Sequence, residues 1–507
     1  MQGNLSSDYL ASRCAGLLSH LSIPSTDVWT SELIPANTNI LFPENSPDCE
    51  LPSAQVDVEL CRVTMRVVTS TSPPGEVSLE AWLPTDWNGR LLEIANGGLG
   101  GCIFYHDLAY GASQGFATIG TNGGKNGTSG LPFLQNEAVL EDFAYRSIHT
   151  GAVVGKQVTA SFYGRSHTTA YMMGCSTGGR QAFKEAQDFP EDFDGILAGA
   201  PAISMNSLAS WCASFYTHTG PPGSPTFLSP AQWDLVMNDV LRQCDALDGI
   251  VDGFIEDPDL CSYRPENLLC SKSDPSKDCL TSAQVGTVNA FFSDLYGSDG
   301  RLIYPRLQPG ADPHPYGSGS PYDISVDWFR YVVYNNTEWE PIFGLADYEA
   351  AIALNPFNVQ TWEGDLSGAK EAGTRILHYH GLTDDVISSE ISQRYYNYVS
   401  RTMGLTSDEL DEFYRYFRIS GLHHCRGGDG AARIGNYLVN SDGFEPENNV
   451  LWALVKWVEE GIGPEHVRGS GVREDNSTVV RHHCKYPLRN MYVGEGDPDK
   501  PESWKCV

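Results

Sequence analysis

The sequence predicts an α/β fold, a mostly parallel sheet with helices on both faces, interrupted by one large insertion. Three observations carry this prediction. Strand-like apolar runs alternate with helix-like stretches in two blocks, and such alternation builds a parallel sheet covered on both sides. Between the blocks that rhythm stops. Apolar residues make up 41% of the 507-residue chain and aromatics 11%, enough to fill a large core and to exclude a disordered chain.

Each element follows from its pattern. In the first block, strands are expected at MRVVTS (65–70), VSLEAWLP (77–84), RLLEIANGG (90–98), FATIGTN (116–122), TTAYMMGCS (168–176) and DGILAGAP (194–201). Helical spacing of apolar residues marks 141–164 between them. The second block has a strand at TRILHYHG (374–381), a helix over 387–404, a strand at FYRYFRISG (413–421) and a helix over 450–461. The middle, 205–370, is rich in Pro, Gly, Ser, Asp and Cys, with short amphipathic stretches. It reads as a lid inserted into a catalytic core made of 1–204 and 371–507. No run of about 18 apolar residues exists, so no membrane span is expected.

Charge and cysteine usage set the surroundings. Lys and Arg number 33 against 64 Asp and Glu, a net charge of −31, which repels nucleic acid and anionic membranes. Thirteen cysteines suggest an oxidising compartment. N-x-S/T sequons begin at Asn4, Asn126, Asn335 and Asn476 and allow glycosylation. The opening MQGNLSSDYL has no apolar h-region. It is expected to be a mature secreted form whose signal peptide is gone, with Met1 added as a start.

Chemistry enters at YMMGCSTGGR. Gly174, Ser176 and Gly178 form G-x-S-x-G after an apolar strand and before a helix-like stretch. A nucleophile elbow needs that context, because the tight strand-to-helix turn tolerates only small flanking residues and lifts the serine Oγ above the sheet. The partners should follow in the order acid, then histidine. GLTDDVI after the strand at 374–381 offers Asp384 as the acid, with Asp385 as turn chemistry. The loop LHHCRGGDGA offers His423 and His424, and RHHCKYP offers His482 and His483. Cys175 precedes Ser176 and Cys425 follows His424, so a bridge between these cysteines would clamp nucleophile and base together and favours His424. For the oxyanion, the backbone N–H of Thr177 is one donor and the glycine-rich loop ANGGLGG the source of the second, with Gly98 preferred over Leu99.

GCSTGGR, NGGLGGC, HGLTDDVI, GLHHC and CDALDGIVDGFIEDPDLC together resemble the fungal tannase and feruloyl esterase family, on its feruloyl esterase B side, from about residue 57 to the C-terminus. The resemblance implies an α/β-hydrolase core and a Ser176–Asp384–His424 triad with Cys175 and Cys425 bridged. Thr177 stands where tannases tend to carry Asp, which bears on substrate and not on mechanism. The expected activity is secreted hydrolysis of hydroxycinnamate esters of plant cell walls through an acyl-enzyme. A tannase, a broad carboxylesterase and, more distantly, a non-catalytic binding protein of this fold are the alternatives. No redox cofactor is needed.

Asp245, Asp248 and Asp252, interleaved with Gly249 and Gly253, suit a loop that holds a hard cation, although the EF-hand spacing is absent. The resemblance implies structural Ca²⁺ on these three carboxylates and the carbonyls of Ile250 and Phe254, and Asp257 and Asp259 are expected to be surface charges. Trp211, Trp233, Tyr322, Trp328, Tyr331 and Tyr334 could roof a flat phenolic group, most of them being core. Short loops favour the bridges Cys244–Cys261, Cys270–Cys279 and Cys484–Cys506. The resemblance supports these and leaves Cys14–Cys61 with Cys49–Cys102, while the residues themselves also permit Cys14–Cys49 with Cys61–Cys102. Cys212, in SLASWCASFY, is expected to be a free, inert thiol.

Overall fold

A computed structural model describes residues 7–271, 278–437, 442–473 and 476–507. Two compact units emerge, one of Met1–Ala198 with Pro356–Ile376 and one of Gly199–Asn355 with Leu377–Val507.

The first unit is built on a sheet of β1 (Thr26–Ile34), β2 (Leu60–Thr71), β3 (Pro74–Pro84), β4 (Arg90–Ile94), β5 (Ala117–Thr121), β6 (Thr169–Cys175) and β7 (Gly195–Gly199), in the order β1-β2-β3-β5-β4-β6-β7. β4 runs parallel to both β5 and β6, whereas β1, β2, β3 and β5 pair antiparallel in succession. Burial explains the difference. β5 and β7 are buried at every residue, as strands covered on both faces must be, while β2 alternates buried and half-buried positions, as an antiparallel strand with one wetter face does. The helix expected over 141–164 starts at Glu137, loosens into a π turn at Asp142–Arg146 and continues as Ser147–Tyr163. It stops at Gly164, whose φ of +70° ends it in the left-handed region. The sequence reading did not anticipate the helix Ser7–His20 or β1.

In the second unit, β8 (Arg375–Gly381) and β9 (Tyr414–Ile419) carry the late core, with helices Glu390–Met403 and Val450–Glu460. An antiparallel hairpin, His466–Val472 with Thr478–Cys484, follows. The middle segment is more helical than expected, with helices Met205–Thr219, Pro230–Cys244 and Ser282–Phe291. Of its aromatics, Trp211, Trp233 and Trp328 are fully buried, Tyr322 and Tyr331 are half-buried and Tyr334 is exposed; Trp211 packs on Phe215, Tyr304 and Tyr316.

The segment read as an insertion, 205–370, therefore lies in the second unit up to Asn355, and that unit also takes in Leu377–Val507. Ion pairs link these two stretches of the unit. Asp257, expected on the surface, is buried and accepts from Arg418 at 2.5 Å and from Arg489 at 2.6 Å. Asp259 is 3.1 Å from the same Arg418. A guanidinium as buried as Arg418 requires such partners, so both aspartates are structural ion-pair residues.

Bridges join Cys14 to Cys61, Cys49 to Cys102, Cys244 to Cys261, Cys270 to Cys279 and Cys484 to Cys506. The alternative N-terminal pairing is not adopted. Cys175 and Cys425 are also disulfide-bonded. Cys212 is free and buried, and burial pushes its thiol up to about 12. Among the described residues no helix is long and apolar enough to cross a membrane. Asn126, Asn335 and Asn476 are exposed, and Asn4 and Met1 lie outside the described residues.

Candidate active site

Ser176 sits at the turn from β6 into helix Thr177–Asp188, with φ +64° and ψ −126°. The flanking glycines are required by contact. A Cβ on Gly174 would lie 2.6 Å from the Gly178 backbone, and one on Gly178 would lie 2.7 Å from the carbonyl oxygen of Asn96. Loop 95–101 is tied to the helix start. The Thr177 hydroxyl donates to the Gly98 carbonyl at 2.5 Å, and the Asn96 N–H donates to Gln181 Oε1 at 2.9 Å. Asn96 Nδ2 also donates to the Thr121 carbonyl at 2.7 Å. Gly98 has φ +55° and nothing within 4 Å on its side-chain side, and Leu99 beside it is buried.

Asp384 and His424 belong to the second unit. β8 ends at Gly381, where a Cβ would lie 2.2 Å from the Leu422 carbonyl oxygen. Only glycine lets the loop bearing His424 pass that close. Asp384 is fully buried, and its two oxygens are occupied differently. Oδ1 accepts the N–H groups of Val386 and Ile387, both at 2.8 Å. Oδ2 accepts from His424 Nδ1 at 2.8 Å and from His380 Nε2 at 3.0 Å. Burial alone would raise this carboxyl, but the His424 charge and the histidine hydrogen bonds prevail and hold it well below the usual range. An ionised carboxylate only accepts, so His424 carries its hydrogen on Nδ1 and Nε2 is left to take a proton. Burial pulls the His424 pKa down, but Asp384 more than offsets it, and the net shift is upward.

The other candidates fall away. Asp385 Oδ1 accepts from the His424 backbone N–H at 3.4 Å, a contact with a loop 39 residues away rather than within its own turn. His423 faces Asp429 at 3.8 Å. His482 stacks on His466 at 4.0 Å. Burial pushes His483 down to about 4, and its Nε2 donates to the Ala431 carbonyl at 2.9 Å.

The sequence reading missed a relay behind Asp384. With His380 Nε2–H donating to Asp384, His380 Nδ1 accepts from Ser392 Oγ at 2.6 Å, Ser392 Oγ accepts from His378 Nε2 at 2.8 Å, and His378 Nδ1 accepts from Tyr414 OH at 2.9 Å. Every proton in this chain has one consistent direction. The available signal was the H-Y-H of TRILHYHG, two histidines on one face of an otherwise apolar strand.

In the aspartate string, Asp245 accepts the N–H groups of Asp252 at 3.2 Å and Gly253 at 3.1 Å, and Asp248 Oδ1 accepts that of Ile250 at 2.9 Å. Asp252 Oδ2 accepts from Arg481 at 3.0 Å. Asp248 Oδ2 and Asp252 Oδ1 are buried without a hydrogen-bond partner. Burial pushes Asp248 up to about 6 and Asp252 up to about 7. Two orphaned buried carboxylate oxygens in one loop with Ile250 and Phe254 fit a hard cation.

The family model for tannase and feruloyl esterase matches residues 61–328 and 348–507. The chain is 48% identical to a protein of Aspergillus oryzae described as a probable feruloyl esterase B-2, over 99% of this chain and 96% of that one. It is 50% identical to a probable feruloyl esterase B of Emericella nidulans, over 99% and 95%. The crystal structure of feruloyl esterase B from Aspergillus oryzae superposes with a TM-score of 0.96 at 45% identity, covering 98% of this chain and all of that one. Tannin acyl hydrolase from Aspergillus niger shares the fold, at a TM-score of 0.75 and 23% identity over 98% and 94% of the two chains.

Proposed function

The chain belongs to the tannase and feruloyl esterase family and is a carboxylic ester hydrolase, and from that premise we propose that it hydrolyses hydroxycinnamate esters with Ser176, His424 and Asp384. The observation that carries the mechanism is the Asp384–His424 bond, which leaves His424 Nε2 as the acceptor. Ser176 Oγ attacks the ester carbonyl as His424 takes its proton, and Asp384 stabilises the imidazolium. The N–H groups of Thr177 and Gly98 receive the oxyanion, each such donor being worth roughly 2.7–4 kcal/mol. His424 then protonates the departing alcohol. Water, activated by the same histidine, cleaves the acyl-enzyme.

Cys175 pairs with Cys425 in this reading. Both are disulfide-bonded and the other ten bonded cysteines pair among themselves. Ca²⁺ sits on Asp245, Asp248 and Asp252 with the carbonyls of Ile250 and Phe254, a structural ion with no part in the chemistry. Secretion, with sugars on the exposed sequons, fits the bridges.

Parallel steady-state kinetics on methyl ferulate, chlorogenate and methyl gallate test the assignment, with Ser176→Ala as control. The cinnamates should give the higher kcat/KM and Ser176→Ala should be inactive. A preference for gallate would make the chain a tannase. Turnover by Ser176→Ala would remove the mechanism.

A further inference from the structure

Helix Ser147–Tyr163 covers an acidic cluster that ester hydrolysis does not use. His149 comes from that helix, Glu185 from helix Thr177–Asp188 and Asp192 from the segment before β7. Each offers one ligand atom, and the three atoms lie within 4.8 Å of one another. Glu185 is 1% exposed, yet among the described residues no donor reaches either of its carboxylate oxygens, and the Asp192 carboxyl that faces it is itself an acceptor. Glu93 of β4 is also fully buried and unpartnered at both oxygens. It fits only because residue 151 is glycine: a Cβ there would lie 2.1 Å from Glu93 Oε1.

The nearby cations do not balance this charge. His149 Nδ1 is 2.7 Å from Asp192 Oδ2. Lys156 donates to the Asp192 carbonyl at 2.6 Å and is 3.5 Å from its Oδ1. Both are paired with Asp192. Burial, with the charges of Asp192 and Glu93, pushes the Glu185 carboxyl well above its ordinary range. A buried carboxylate without a partner holds either a proton or a cation.

We propose that His149, Glu185 and Asp192 form a binding site for a divalent transition-metal cation of the Zn²⁺ type. One imidazole nitrogen and two carboxylates suit Zn²⁺, whereas Ca²⁺ and Mg²⁺ prefer oxygen alone. The His149 ring is already held, stacked on Phe189 at 3.9 Å. The ion joins the covering helix to the helix that begins beside Ser176, a structural role outside the reaction.

Calorimetric titration of the full chain with Zn²⁺, in saturating Ca²⁺ to fill the aspartate loop, tests this. The wild-type protein should take up about one Zn²⁺. The isosteric Glu185→Gln and the half-exposed His149→Gln should each weaken uptake by about tenfold or more, with circular dichroism verifying that both variants fold. His482→Gln, altering the stacked histidine pair elsewhere, should bind as wild type. No uptake by the wild type, unchanged affinity in Glu185→Gln and His149→Gln, or loss in His482→Gln would each overturn the proposal.

Discussion

Asp384→Asn should disable the enzyme while leaving its fold intact, and the hydrogen bonds say why. Oδ1 of Asp384 is fixed by two N–H donors, from Val386 and Ile387, at 2.8 Å each. Backbone N–H groups cannot relocate their hydrogens and imidazoles can, so the amide that replaces the carboxylate keeps its oxygen there and turns its NH2 to the Oδ2 position, 2.8 Å from His424 Nδ1 and 3.0 Å from His380 Nε2, which loses that acceptor and keeps the Ile387 carbonyl at 3.2 Å. An NH2 only donates, so Nδ1 has to accept and the ring hydrogen moves to Nε2. That nitrogen can then no longer take the Ser176 proton. A wrong tautomer in otherwise unchanged geometry lowers kcat by about 10⁴, or about 5.4 kcal/mol. The pH profile should move as well. In the wild type the base works when neutral, so kcat/KM rises as pH climbs through a His424 pKa that Asp384 holds up. Without that charge the acidic limb shifts to lower pH. The assay is methyl ferulate hydrolysis from about pH 4 to 9, with circular dichroism as the folding control. A folded variant with kcat within about tenfold of wild type, or with the acidic limb unmoved, would refute the reasoning.

Three further outcomes are expected. Replacing both Cys175 and Cys425 by alanine should lower kcat much more than it changes KM, because serine and histidine lose their register; an unchanged kcat would remove the clamp. Chelation with EGTA should lower the thermal midpoint and speed proteolysis around residues 245–254 while the initial rate on substrate stays the same, and a midpoint indifferent to chelator and to added Ca²⁺ would dismiss the ion. Thiol titration should find about one thiol in the denatured chain and none reacting quickly in the native one, since Cys212 is buried with its thiol 3.1 Å from Tyr316 OH; rapid native labelling would contradict this.

What could be read from the sequence follows from the range of the forces involved. β5, β6, β7 and β8 are short apolar runs whose own residues declare them, and Ser176 is marked by glycines that its turn needs. Asp384 and His424 were reached through chain order and adjacency to Cys425. β1 was missed because TDVWTSELI reads as polar; it lies at an antiparallel edge, half in water, where pairing with β2 rather than apolar content defines it. Asp257 and Asp259 looked like surface charges because their partners, Arg418 and Arg489, are far away in the sequence. The same distance hid the polar chain behind Asp384, where Ser392 and Tyr414 are unremarkable in sequence and gain meaning only from the histidines they meet.

The N-terminal bridges interlock: Cys14 joins Cys61 while Cys49 joins Cys102, so each loop encloses one end of the other. A polypeptide leaving the ribosome N-terminus first presents Cys49 to Cys14 before Cys61 has been made. The first pair available is thus a non-native one, and a bridge formed there would have to be opened by thiolate attack before the native connectivity could form. A recombinant host that supplies a disulfide isomerase as well as an oxidant is therefore expected to give more of the native pairing over the first hundred or so residues than one that supplies the oxidant alone.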